Sequence, residues 1–309
     1  MNPPPFRLSR RRDRAPLEPA LDDTALATAR NALQQGRWTE VRELLLETGE
    51  DWNLRGHRIE VLAQAENSET WALDWRLAEP DSAEAACLIA AARTRQALAR
   101  GSRPEPAVEA IEEARRLLPQ DPTPWLEALR LWHRMGTPEQ RARAFDEVRA
   151  RVPYHHQGHH LWVAELAEHA QGGSQDHLPH PVYEFATQAL SRRDSPLAVL
   201  PVLAHAERYR VLAAHQPDKT DLTAHWNGWR AQQVTRIAFD RWLDDQPRHP
   251  RWMVDLNLLA HAKFHQGRLA EAAALFQRIG PHVSAVPWAF GGRDPVAEFR
   301  AARSAALGG

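Results

Sequence analysis

The sequence predicts an all-α protein: an α-solenoid of antiparallel helical hairpins closed by a C-terminal capping helix. Three observations predict it. The stretch from Pro122 to Pro153 carries every signal of one helix-turn-helix unit. A turn sequence beginning at Gln35 recurs almost residue for residue at Gln266. Finally, two amphipathic helices joined by a short turn pack antiparallel yet leave one apolar face uncovered, so each hairpin requires stacked neighbours.

The first 21 residues hold Pro3-Pro4-Pro5 and the basic group Arg7, Arg10, Arg11, Arg12 and Arg14, with almost nothing to bury. That composition predicts a disordered, solubilising arm. A single helical-repeat domain is expected over 22–309. Thr24 to Gly36 and Trp38 to Thr48 form a first hairpin, turning at Gln35-Gly36-Arg37-Trp38. Trp52, Gly56 and Pro80 hint at a further, irregular unit, and Ala83 to Ala90 is a helical apolar run around Cys87. In the central unit Asp121 or Thr123 caps a helix with Trp125, Leu129 and Trp132 on one face. Gly136 stops it, and Thr137-Pro138-Glu139-Gln140 is a capping box that starts a second helix with Ala144, Phe145, Val148 and Val152 as its stripe.

The pattern is interrupted over residues 154–181, where a helix from His159 to Ala170 is expected between two loops. Val182 to Ser191, Pro196 to Ala214 and Thr223 to Asp245 read as further helices, and Trp252 to Gln266 with Leu269 to Ile279 as the last hairpin. After a loop, Asp294-Pro295 caps the closing helix, Val296 to Leu307, which covers the apolar end that a solenoid exposes.

Composition narrows the function classes. A formal net charge of −1 offers no global field for nucleic acid or an anionic membrane. The single cysteine, Cys87, excludes an internal disulfide framework and reads as a buried structural thiol. No apolar run approaches the roughly 20 residues a bilayer requires, and cytoplasmic is the expected location. No G-x-G-x-x-G, Walker or G-x-S-x-G pattern occurs, so no cofactor is implied. Glu112-Glu113 and Asp244-Asp245 read as solvated surface, and most of the twelve tryptophans as core. Trp288 is the least clearly core and is expected to fold onto the last hairpin.

An aromatic early in the first helix, glycine at the turn and proline after the second helix is the layout of the tetratricopeptide-like superfamily, with a unit of about 34 residues. Trp125, Trp132, Gly136, Phe145 and Pro153 fall in phase with it, as do Ile111, Ala114 and Pro119 before them, Gly267, Ala272 and Phe276 near the end, and Gly36 and Leu45 near the start. The sequence resembles that superfamily over three units and departs from it over 154–245. Glu79-Pro80-Asp81-Ser82, Asp121 to Trp125, Ala144 to Val148 and Pro287-Trp288 also resemble a group of actinobacterial proteins of this layout, a likeness that implies no activity.

What the superfamily resemblance implies is a non-catalytic protein-interaction module, an adaptor receiving a peptide or partner protein in its concave groove. Carried over position by position, the groove residues are Arg30, then Arg130, His133 and Arg134, then Asn257, His261 and His265. This basic, hydrogen-bonding set suits a carboxylate-rich peptide or the free C-terminus of a partner protein.

The alternative class is a metal-dependent enzyme or a metal or pH sensor. Half of the sixteen histidines lie between His133 and His180. On a helix His156 and His160 are i, i+4 neighbours, as are Glu165 and His169, so His156, His159, His160 and His169 are the candidate metal set. The blander expectation is that these histidines are solvated or sit in a helix's first turn. Nucleic-acid binding through the Arg7 to Arg14 arm is a third possibility, which the charge balance disfavours.

Overall fold

The computed structural model describes residues 17–101, 103–170, 180–189, 195–216, 221–243 and 249–308. Among these the protein is helical, with sixteen α-helices and no strand. The basic cluster of the arm, the Gly172-Gly173-Ser174 stretch, His177 and Asp244-Asp245 lie outside them. Residues 17–21, expected to belong to the arm, pack on the helices: Ala20 and Leu21 are buried, and Glu18 takes Arg30 in a two-pronged ion pair at 2.5 and 3.0 Å.

The repeated turn is a repeated structure. α1 (Thr24–Gln34) and α14 (Trp252–His265) end in the same way: Gly36 and Gly267 adopt φ of +80° and +71°, and their N–H groups bond Leu33 O and Phe264 O, each at 3.0 Å. The next residues, Arg37 and Arg268, bond Ala32 O and Lys263 O, at 3.0 and 2.9 Å. These are the paired bonds of a glycine-terminated helix, which satisfy the last carbonyls before α2 (Thr39–Thr48) and α15 (Leu269–Ile279) begin.

α3 (Trp52–Leu62) and α4 (Ser68–Ala78) form the irregular second unit, followed by α5 (Ala83–Arg100) and α6 (Glu105–Leu117). In the central unit, α7 spans Thr123–Met135 and α8 Pro138–Arg151, with both halves of the Thr137/Gln140 capping box formed. Asp121 is buried, accepts from Thr123 N at 2.7 Å and ion-pairs with Arg55 Nε at 2.7 Å, so one carboxylate, one residue ahead of the Pro122 N-cap, takes the first N–H of α7 and ties it to α3. Burial and the Asp121 carboxylate raise the Cys87 thiol well above its ordinary range; it is inert, as expected.

The largest local departure lies in the interrupted stretch. α9 begins at His156 and runs to His169, with His155 as its N-cap accepting from Gly158 N. Its first turn is not solvated: His155, His156, Gln157 and His159 are all buried. A Cβ at Gly158 would stand 2.8 Å from Val148, so glycine lets α9 approach α8 this closely.

Beyond it come α10 (Pro181–Gln188) and α11 (Leu200–His215), and the helix expected from Thr223 to Asp245 is broken at Gly228 into α12 (Leu222–Asn227) and α13 (Trp229–Leu243). The break frees the Trp226 carbonyl, which the side-chain amide of Gln266 takes at 3.2 Å while also reaching Ala231 O in the first turn of α13 at 3.4 Å. α16 (Pro295–Leu307) covers α15 and α14 as a closing helix, and Trp288 is buried between Phe276 and Phe299.

Buried apolar residues fall into two clusters, one from Ala20 to Val148, the other holding Leu21 and running from Val163 to Ala302. α3 packs against α1, α2, α5, α7 and α9, and is buried around most of its circumference. α14 is likewise buried from Met253 to Lys263. The start of α14 reaches back to the N-terminal half: Trp252 Nε1 donates to Asp22 at 2.8 Å and Arg251 pairs with Glu60 of α3 at 2.8 Å. The first turns of α9 and α14 and the length of α3 therefore form a seam between the two cores.

Candidate metal centre

At this seam one buried carboxylate gathers three imidazoles. Asp255, in the first turn of α14, is 5% exposed. Its Oδ1 lies 3.0 Å from His156 Nε2 and 3.7 Å from His160 Nε2; its Oδ2 lies 3.0 Å from His249 Nε2. His156 and His160 are one turn apart on α9, and their rings overlap at 4.0 Å between centroids. The His156 ring also overlaps that of His249, again at 4.0 Å. One ligand atom each from His156, His249 and Asp255 falls within 4.8 Å of the others, the spread a single ion can draw together.

The protonation states favour ligation. Burial, followed by the neighbouring His249 and Arg251, holds His156 well below the ordinary imidazole range, and burial followed by His156 does the same to His160. Both are neutral at neutral pH, with a lone pair to offer. His249 has another role. Its Nδ1 accepts from Arg251 N at 3.3 Å, which leaves the proton on Nε2, donated to Asp255 Oδ2. His249 thus orients the carboxylate so that Oδ1 faces His156 and His160, in the manner of an outer-shell partner.

No lysine or arginine pairs with Asp255 among the described residues. A buried carboxylate whose only close partners are imidazoles, two of them held neutral, lacks a full compensating charge, and such a group is costly to bury. A divalent ion drawn between Oδ1 and His156 Nε2 would supply it; His160 Nε2, 3.7 Å from Oδ1 and outside the group of atoms within 4.8 Å of one another, would have to move in to ligate. His160 Nε2 has no hydrogen-bond partner in its buried position, as an available ligand atom should not.

The candidate set read from the sequence is split. His156 and His160 belong to this cluster. His159 turns away: its Nδ1 bonds His155 O at 2.9 Å and its ring packs between Phe145 and Phe185. His169 sits in a second group with His133 and Glu165. There Glu165 already takes Arg141 at 2.7 Å and His133 at 2.6 Å, while Glu168 takes Arg210 at 2.7 Å. Those carboxylates have their cations, and the group makes a poor metal site.

The groove residues likewise occupy different surroundings. Arg30 is held by Glu18, and Arg130 lies between Glu60 at 3.0 Å and Glu127 at 3.4 Å. His133 bridges Glu165 and Glu168. Asn257 is fully buried and holds the loop after α15, accepting from Trp288 Nε1 at 2.9 Å and donating to His282 O at 3.0 Å. His261 is buried against Trp226 and Trp288, and His265 lies beside it. Arg134 alone of the seven is exposed.

Sequence reasoning missed His249 and Asp255, and with them the hub of the seam. Glu60 receives Arg130, Arg251 and the amide of Gln157, so one carboxylate joins α3, α7, α9 and the approach to α14. Burial alone would raise its pKa, but the two guanidiniums more than offset that and hold it at about 2. The one local signal was the placing of His249 between Pro247 and Pro250, just before a helix with an acid in its first turn.

No family model, curated protein or solved structure matches this sequence.

Proposed function

We propose that the protein is a helical scaffold that binds one divalent transition-metal ion through His156, His160 and Asp255 and uses it to lock the seam between its two halves. The observation that supports this reading is the convergence of imidazole nitrogens on a buried carboxylate with no permanent cationic partner among the described residues. Two imidazoles and a carboxylate suit zinc and the later first-row metals rather than calcium or magnesium, which favour all-oxygen sites. The cluster is largely enclosed, which favours a structural or sensing role over turnover of a substrate. Zinc titration of the chelator-treated, untagged protein tests it: wild type is expected to bind one ion per molecule, and His156→Ala to bind none. Equal binding by the two forms would remove the proposal.

The tetratricopeptide-like arrangement and the adaptor reading remain proposals of a second kind, supported by the repeated hairpin turns and the exposed Arg134. Affinity capture with Arg134→Glu as control tests them. A partner retained undiminished by that variant would detach Arg134 from any groove.

A further inference from the structure

A second site is lined in part by Glu60 and by none of the metal-cluster residues. Between α3, α5 and α7 is a cleft of about 370 Å³. Ala63, Ala91 and Leu98 supply apolar wall, Arg95 stands at the exposed rim, and Thr94, Glu127 and Arg130 line the cleft. Three buried polar atoms there have no hydrogen-bond partner among the described residues: Thr94 Oγ1, Arg130 Nη2 and Arg130 Nε, the last with Glu127 at 3.4 Å. Thr94 is 1% exposed. A threonine inside a helix ordinarily returns its hydroxyl to the carbonyl one turn back, and an orphaned buried hydroxyl is costly. Arg130 spends Nη1 on Glu60 at 3.0 Å and has Glu127 at 3.4 Å from Nε, which leaves Nη2 as the guanidinium nitrogen in no ion pair.

The charges also indicate what the cleft would take. Arg130 and Arg251 are two fixed cations around one fixed anion, Glu60. Glu127 is the remaining acid, 4% exposed, and burial together with Glu60 raises its pKa to about 7 against the opposing pull of Arg130. When Glu127 is protonated, the group carries one uncompensated positive charge beside two unused donors.

We infer that this cleft binds a small oxyanion-bearing molecule, a carboxylate or phosphate head held by Arg130 Nη2 and Thr94 Oγ1 with a short apolar body along Ala63, Ala91 and Leu98. A bound anion raises the cost of ionising Glu127, which feels Glu60 from α3 and Arg130 on its own helix, with Arg95 of α5 at the exposed rim of the same cleft. Binding therefore takes up a proton and weakens as pH rises through 7.

The test uses the full-length protein titrated with butyrate, inorganic phosphate and uncharged butyramide, followed by calorimetry and NMR. Butyrate or phosphate is expected to bind saturably, butyramide at least tenfold more weakly, and Thr94→Val to lose at least tenfold in affinity. Thr94→Val removes only a hydroxyl with no partner, so the variant is expected to fold and to melt no lower than wild type. Butyrate alone binding assigns the cleft to carboxylates, and phosphate binding tighter assigns it to phosphates. Absence of saturable binding by both anions at millimolar concentration overturns the inference, as does equal affinity in wild type and Thr94→Val.

Discussion

His156 and Asp255, 99 residues apart in sequence, meet at 3.0 Å in the seam between the two halves of the protein. The contact joins the first turn of α9 to the first turn of α14, and His249 holds the carboxylate from its other side. Replacing Asp255 with Asn removes the charge and keeps the shape. Without metal, the variant is expected to be as stable as wild type or up to about 2 kcal/mol more stable, because no uncompensated carboxylate remains to be buried. With zinc, wild type is expected to gain about 2.7 kcal/mol at a hundredfold excess over Kd, and the variant nothing. Thermal melts with and without chelator check both.

His249→Gln separates orienting from ligating. If His249 positions Asp255 rather than binding the ion, its loss weakens metal affinity by about 10- to 100-fold and leaves the one-ion stoichiometry unchanged. His160→Ala is expected to cost more than His249→Gln does. The reverse order in a competition titration would move His249 into the ligand set.

Acid should unfold the protein in a narrow window. Burial lowers His57, His155 and His159 to about 4 and His205 to about 3, and pushes His156, His160 and His261 well down. A base whose folded pKa lies below its unfolded value of about 6.5 is held neutral by the fold, so its contribution is complete above 6.5 and is lost as pH falls towards 4. At pH 5 each costs on the order of 1–2 kcal/mol, and several together rival a whole stability of about 5–15 kcal/mol. Circular dichroism against pH is expected to show cooperative loss of helix between about pH 6 and 4. A transition confined below pH 3.5 would contradict this.

The buried pair between Arg55 and Asp121 should behave as a unit. Both side chains are 2% exposed or less, and Arg55 also reaches Glu84 at 3.2 Å. Arg55→Met strands a buried carboxylate and is expected to cost about 3–5 kcal/mol by urea denaturation. Adding Asp121→Asn, which keeps an acceptor for the first N–H of α7, should recover a large part of that loss.

The two copies of the repeated turn give a paired test. A Cβ at Gly36 would meet the Trp71 ring at 3.0 Å, whereas one at Gly267 meets nothing within 4 Å. Both substitutions force alanine into the left-handed region, at about 1 kcal/mol. Gly36→Ala is expected to cost roughly 1–2 kcal/mol more than Gly267→Ala, since it also displaces a packed indole.

The parts of this fold that are legible in the sequence are those set by near neighbours along it. Thr137 and Gln140 make their capping box within four residues, and Gly36 and Gly267 terminate helices by bonds that span five. The i, i+4 pairing of His156 and His160 is legible for the same reason. Their partner is not, because Asp255 reaches them only where the first turns of α14 and α9 meet at the seam, helices that each pack on α11. Spacing alone groups His159 with them, and the aromatic pair Phe145 and Phe185 claims it instead. Gly228 interrupts a run whose apolar spacing continues through it, so periodicity carries one helix where Gln266 supports two. The groove positions follow from phase in the repeat; phase does not tell an exposed arginine from one already held by Glu18 or Glu60.

Cobalt substitution addresses the seam most directly. Titrating Co²⁺ into the chelator-treated protein is expected to produce visible d–d absorption of a low-coordinate nitrogen and oxygen site, saturating at one ion per molecule and abolished in Asp255→Asn. Saturation without such bands, or the same bands in Asp255→Asn, would contradict a metal held by His156, His160 and Asp255.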